Sequence, residues 1–312
     1  MDNEFKIGHF TDKKNITGCT VILCPPETNA SCYVAGSAPG SRETALLAPD
    51  KKITEIHAVF LTGGSAFGIS AASGIMTYLE EKRIGYKTGF GIIPLVPAAV
   101  IYDLNIGNPE ARPKAEDAYQ ACMSAAKGFD QQGTVGAGTG ATLGKWAGIA
   151  NGMKSGLGIH TLSEAGIWVT AISVVNAVGD VVDDKGKIIG GALDEKGHFL
   201  AAGDRDKRWQ QQRRVFSENT VLSVILTNAK LNKLESFILA KRAQNGLARA
   251  IIPATTSYDG DIIFSLTSGR LAANTDLVYE MGSEAIRLSI ISAVLKSESL
   301  GGYLAVRDIH PE

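Results

Sequence analysis

Two runs of β-branched and aliphatic residues constrain this chain more than anything else in it: "GIWVTAISVVNAVGDVVD" (166–183) and "TVLSVILTN" (220–228). Such runs, bounded by polar and glycine-bearing turns, read as strands. The first reads as a long strand that turns into a second between Asn176 and Asp180, and the other as a buried strand that begins just after Asn219. Further strands are expected at "GCTVILC" (18–24) and "HAVFLTG" (57–63). In 65–83 the spacing of Phe67, Ile69, Ile75, Met76 and Leu79 behind a Ser cap predicts a helix, and others are expected over 114–127, 231–249 and 280–296. Few strand-helix-strand repeats occur. Long strands joined as hairpins, with helices outside them, predict a layered α+β sandwich rather than a doubly wound sheet.

The rest of the composition narrows the function by exclusion. A formal net charge of −1 and a pI near 6.5 point to no nucleic-acid and no membrane partner. The start, "MDNEFKIGHF", lacks the apolar run of a signal peptide, and the longest apolar stretch, "GIIPLVPAAVIY" (91–102), is short and carries two prolines. A cytoplasmic protein is expected. Cys19, Cys24, Cys32 and Cys122 show no CxxC spacing and read as buried thiols, so no metal and no cofactor is expected.

Several segments carry candidate chemistry. In "GTVGAGTGATLGKW" (133–146) a phosphate loop fails, because Thr139 stands where glycine is needed and Trp146 follows the lysine. What remains is a tight loop that delivers Lys145 either to a confined place or to the surface. "LTGGSAFG" (61–68) resembles a nucleophile elbow at Ser65, but Phe67 occupies the last glycine position and the five histidines form no motif. In "YDGDIIF" (258–264), Asp259 and Asp261 share one side if the segment is a strand, and face solvent if it is a turn.

Thr220 raises the sharpest question. A polar, charged, glycine-punctuated segment (184–218) precedes it, and a buried strand follows. A threonine hydroxyl needs an adjacent base, and a free α-amine on the same residue can serve, with a reference pKa of about 7.7–8. Cleavage before Thr220 would create that amine.

Seven motifs in order, "AGSAPGSRETALL", "HAVFLTGGSAFGISAASGIMTYLEE", "VPAAVIYDL", "GTGATLGKW", "VVNAVGDVVD", "ENTVLSVILTN" and "YDGDIIF", resemble the self-cleaving P1 peptidases. That family includes L-aminopeptidase/D-esterases, β-peptidyl aminopeptidases and nylon-oligomer hydrolases. The resemblance implies a four-layer αββα sandwich similar to N-terminal-nucleophile hydrolases but with different connectivity. It also implies one domain over 1–312, cut between Asn219 and Thr220 into chains 1–219 and 220–312, with Thr220 as nucleophile. Lys145, Asn176, Asp259 and Asp261 match the polar positions of the nylon-oligomer branch, and Tyr102 matches a tyrosine near the active site, here assigned to substrate binding. By the same resemblance the substrate is a small peptide, amino-acid amide or amide oligomer, cut by an aminopeptidase or an endo-acting amidase, and the assembly is a homotetramer. An acyltransferase of the ornithine acetyltransferase type is the alternative.

Overall fold

The computed structural model describes residues 4–126, 131–202 and 218–309. Two five-stranded sheets form its centre. The first contains β1 (Lys6–Asp12), β2 (Thr17–Leu23), β4 (Ser41–Arg42), β5 (Ala58–Thr62) and β6 (Ala98–Val100), in the order β1-β2-β5-β6-β4. A short hairpin-like pair, β7 (Thr142–Leu143) and β8 (Met153–Lys154), follows. The second sheet is built from β3 (Asn29–Val34), β9 (Leu157–Glu164), β10 (Ile167–Asn176), β11 (Thr220–Ala229) and β12 (Ile262–Leu271), in the order β9-β10-β11-β12-β3. Only β5 with β6 and β11 with β12 run parallel within these two sheets.

Why the two constraining runs read as continuous rather than alternating is now visible: every residue of β10 and β11 is buried. Successive side chains still go to opposite faces. Ile172 and Val174 of β10 and Leu222, Val224 and Leu226 of β11 meet Leu61 and Ala99 of the first sheet, and Ile101 just beyond it, between the two sheets. Val169, Ala171, Val221 and Ile225 point the other way, into a layer with helices α3 (Lys233–Ala250) and α4 (Thr275–Leu295). On the far side, Cys19, Val21 and Phe60 pack against α1 (Ala72–Glu81) and α2 (Ala115–Ser124). The layers therefore run helix, sheet, sheet, helix. Each Leu or Val buried so completely contributes about 1.5–3 kcal/mol relative to exposure, which makes the inner layer a rigid floor for the residues at the strand ends.

Differences from the sequence expectations are local. The helix expected over 65–83 is broken into a turn at Ser65–Gly68, a 3₁₀ segment and α1 proper. Gly64, with φ of 82°, and Ser65, with φ of 52°, make a left-handed kink at its start that no regular helix includes. The helix expected at 280–296 begins earlier, at Thr275, where Asn274 accepts from the Asp276 N–H. α3 begins with a reciprocal cap between Asn232 and Glu235. The stretch "GDRDKRWQQQRR" falls outside the described residues. Cys19, Cys32 and Cys122 are buried, Cys24 is half-buried, and all four are free thiols. Among the described residues no helix is long and apolar enough to cross a membrane.

Candidate active site

Thr220 is the first residue of β11 and Asn176 the last of β10, and the two are antiparallel partners. By the two-residue period they share the inter-sheet face with Leu222 and Val174, at its rim. Thr220 is 4% exposed and Asn176 fully buried.

The peptide bond between Asn219 and Thr220 is clamped. The Asn219 N–H donates to the Tyr258 carbonyl (3.0 Å), and the Asn219 carbonyl accepts from the Gly260 N–H (2.7 Å). One residue later, the Val221 N–H donates to Asp261 Oδ1 (2.7 Å). Residues 258–261 thus run alongside 219–221, with Asn219 and Asp259 forming a parallel bridge. Within this clamp the Thr220 hydroxyl donates to the carbonyl oxygen of Asn219 at 2.5 Å. A backbone donor therefore polarises the same carbonyl that the hydroxyl touches.

Lys145 arrives from the glycine-rich loop. β7 ends at Leu143, Gly144 turns the chain at φ 73°, and a 3₁₀ turn over Lys145–Ala147 brings the lysine inside, fully buried. Its Nζ donates to Asn176 Oδ1 (2.8 Å) and to the Asn176 carbonyl (3.3 Å). Thr142 adds its N–H to the same Oδ1 (3.1 Å). With its oxygen so occupied, the Asn176 amide turns its NH2 outward, to the Tyr102 carbonyl (2.9 Å). Asn176 is thereby locked between Lys145 and Tyr102, and it is Gly260, rather than Asn176, that donates to the Asn219 carbonyl in the uncut chain. Tyr102 enters this network through its backbone.

Burial shifts the charges here. It pushes the Lys145 ammonium down to about 7, against the pull of the Asp259 and Asp103 carboxylates. Asp261 is pushed up to about 7, by burial first and by the charge of Asp259 second. Asp259 is also raised by burial, an effect opposed by hydrogen bonds from Thr256, whose N–H and hydroxyl both donate to Oδ2 at 2.7 Å. Neither carboxylate is solvated: Asp259 is 3% exposed and Asp261 1%. β12 starts only at Ile262, so the pair lies on an extended approach to the strand rather than within it.

The elbow-like Ser65 follows Gly64, whose N–H donates to Asp103 Oδ1 (2.6 Å). The Ser65 N–H donates to the Ile101 carbonyl. His9 is bonded to Thr20, His57 accepts from the Leu95 N–H, and His198 pairs with Asp194. His310 lies outside the described residues. Among the described residues no group of three or more His, Cys, Asp and Glu side chains is arranged to hold a metal.

Two participants escaped the sequence reading. Gly260 was legible only as half of a turn dipeptide, and its contribution is a backbone N–H. The loop at 35–38 holds that segment in position: the Ala35 and Gly36 N–H groups donate to the Asp261 carbonyl, and the Ala38 N–H donates to that of Asp259. A β-carbon on Gly36 would lie 2.3 Å from both the Asp259 carbonyl oxygen and the Asp261 nitrogen. The glycine was the available signal.

Known proteins resemble this chain over almost all of it. The signature of peptidase family S58 matches residues 3–306. An uncharacterised aminopeptidase of Mycobacterium leprae is 38% identical over 307 residues, covering 91% of this chain and 84% of that protein. A 6-aminohexanoate-oligomer endohydrolase of Paenarthrobacter ureafaciens is 30% identical over 285 residues, covering 89% and 76%. Among solved structures, a β-aminopeptidase from Burkholderia sp. superimposes with a TM-score of 0.72 at 18% identity, over 99% of this chain and 93% of that one. An L-aminopeptidase D-Ala-esterase/amidase from Ochrobactrum anthropi, described as a variant of the Ntn-hydrolase fold, does so with a TM-score of 0.72 at 18% identity, over 96% and 86%. The layered sandwich expected from the sequence is the fold of these aminopeptidases, and the chain belongs to peptidase family S58, a hydrolase of peptide or amide bonds.

Proposed function

We propose that the chain cuts itself between Asn219 and Thr220 and then hydrolyses small peptides, amino-acid amides or amide oligomers through an acyl-enzyme on Thr220. The observation that carries this reading is the contact of the Thr220 hydroxyl with a carbonyl already polarised by the Gly260 N–H. In the first step Oγ1 bonds to the Asn219 carbonyl carbon, its proton leaves to a base, and the oxyanion stays on the Gly260 N–H. The C–N bond to Thr220 breaks as the nitrogen takes up a proton, leaving an ester. Water opens the ester and releases the Asn219 carboxylate and the Thr220 hydroxyl, which now stands beside the α-amine freed when the C–N bond broke. In turnover that amine is the base, with a pKa far closer to neutrality than an ordinary lysine. Asp261, one residue from Thr220 through the Val221 N–H, orients it.

Before cleavage no such amine exists, and Lys145 takes the part. A neutral amine has two N–H bonds and one lone pair. Two donations go to Asn176, so the lone pair stays available for the proton. Burial provides the neutral form near pH 7. The sign follows: below about 7 the ammonium is protonated and cannot accept, above it the amine is neutral. The rate of self-cleavage is expected to rise about tenfold per pH unit up to that midpoint and to level off above it. The check is the appearance of the 220–312 fragment after cell-free translation, chased from pH 5 to 9. Asp261→Asn, which removes the carboxylate of the site raised to about 7, should keep this rise. A rate independent of pH would exclude Lys145 as the base.

A further inference from the structure

A second lysine, Lys154, is as buried as Lys145 and plays no part in the chemistry above. It sits on β8, directly opposite Thr142 of β7. Its ammonium donates to three carbonyls: Gly138 (3.2 Å), Ala141 (2.9 Å) and Ser155 (2.5 Å). Two of these belong to the glycine-rich loop, four and seven residues before Lys145. Asp103 lies against the same loop. A β-carbon on Gly140 would come within 2.6 Å of Asp103 Oδ2. The carboxylate accepts from the Gly64 N–H (2.6 Å) and from the Thr17 hydroxyl (2.8 Å) and is 3% exposed. Asp103 also directly follows Tyr102, whose carbonyl holds Asn176.

We propose that Lys154 and Asp103, neither of which touches Thr220, are positioning residues for the self-cleavage. Lys154 fixes the carbonyls of the loop that carries Thr142 and Lys145 to Asn176. Asp103 pins Tyr102 to the kink at Gly64 and serves as a common buried counter-charge for both lysines. This rests on the self-cleavage reading. Three facts from three elements converge on it: the triple donation by Lys154, the packing of Gly140 on Asp103, and the Tyr102–Asn176 bond. The electrostatics agree: burial lowers both Lys145 and Lys154 to about 7, and the Asp103 charge opposes this on each. Burial raises Asp103 itself, against the bonds from Gly64 and Thr17 and the charge of Lys154. The other charge facing Lys145 is Asp259, and Asp261 faces Asp259. His9, against Gly136, is held down to about 4 by burial and is neutral over the range of interest.

Two substitutions separate positioning from simple support. Asp103→Asn keeps both hydrogen bonds, since the amide oxygen can accept from Gly64 while the NH2 donates to the Thr17 oxygen, but it removes the charge. Lys145 then loses its proton more easily, and the acid limb of the self-cleavage profile should move down by about one pH unit or more. Lys154→Met leaves the Asp103 charge to Lys145 alone, so the limb should move up, and the plateau should fall at least about tenfold with the loop unanchored. A scaffold defect would lower the rate by one factor at every pH without moving the limb. The experiment is the same translation and chase, run on both variants beside the unaltered chain. Opposite shifts support the proposal. A split unaltered chain with an unmoved limb in Asp103→Asn overturns it, whether or not Lys154→Met folds. An unaltered chain that stays whole at every pH overturns instead the self-cleavage reading beneath it.

Discussion

Replacing Thr220 by alanine is expected to leave one chain of 32.9 kDa and no hydrolytic activity. The unaltered protein is expected to resolve, under denaturing conditions, into two masses that sum to the full chain plus one water, the lighter beginning at Thr220. Both losses follow from one atom. Oγ1 is the group in contact with the Asn219 carbonyl, and after cleavage it is the group that would carry the acyl intermediate. The substitution removes a hydroxyl whose bond goes to the adjacent carbonyl and one buried methyl, a loss of about 2 kcal/mol in all, so the variant should fold and serve as a stable precursor. Thr220→Ser restores the hydroxyl and should restore splitting. A Thr220→Ala protein that still divides at this bond would remove Thr220 from the chemistry altogether.

How much of this was legible beforehand depends on whether the signal was local. β10 and β11 were readable because a strand buried on both faces has no polar side to interrupt its run of Val, Ile and Leu. The end of β10 at Asn176 and the start of β11 at Thr220 were readable too, since turn-forming residues follow one in the sequence and a polar, charged segment precedes the other. That these two ends are partners was not readable, because it depends on register between strands with 43 residues between them in the chain. The glycine-rich loop left Lys145 undecided between surface and interior. Its burial depends on Gly144 packing against the Ala192 backbone, 48 residues further on. Lys154 in "GMKSGLG" gives no hint of burial either, because its partners are carbonyls, and carbonyls carry no sequence identity. The acidic pair was caught between strand and turn, and the structure chose neither: an extended approach, held by backbone donors from the 35–38 loop, keeps both carboxylates inside.

The same blindness to backbone chemistry makes Gly260→Ala the more informative second substitution. Gly260 does not occupy the left-handed region, so alanine meets no conformational penalty there. The obstacle is space. Its β-carbon would stand 2.5 Å from the Ala38 carbonyl oxygen and 2.9 Å from Thr220 Oγ1. Neither distance is tolerable, and the first neighbour is backbone tied to Asp259 through the Ala38 N–H. The 258–261 segment must therefore move away from Thr220, and the N–H that donates to the Asn219 carbonyl moves with it. Loss of a single donor of this kind costs roughly 10²–10³ in rate, and displacement of the hydroxyl adds to it, so self-cleavage should slow by at least about 100-fold. Gly89→Ala, at a site with nothing within 4 Å of the new carbon, supplies the control and should split at the normal rate. The discriminating measurement is the splitting rate of Gly260→Ala set beside its thermal midpoint. A folded variant that splits slowly supports placing the scissile carbonyl and Thr220 Oγ1 against the 258–261 segment, as the Gly260 N–H assignment requires. A folded variant that splits at the normal rate would mean that the polarised carbonyl, the observation on which the whole reading turns, is not where the reaction is assisted.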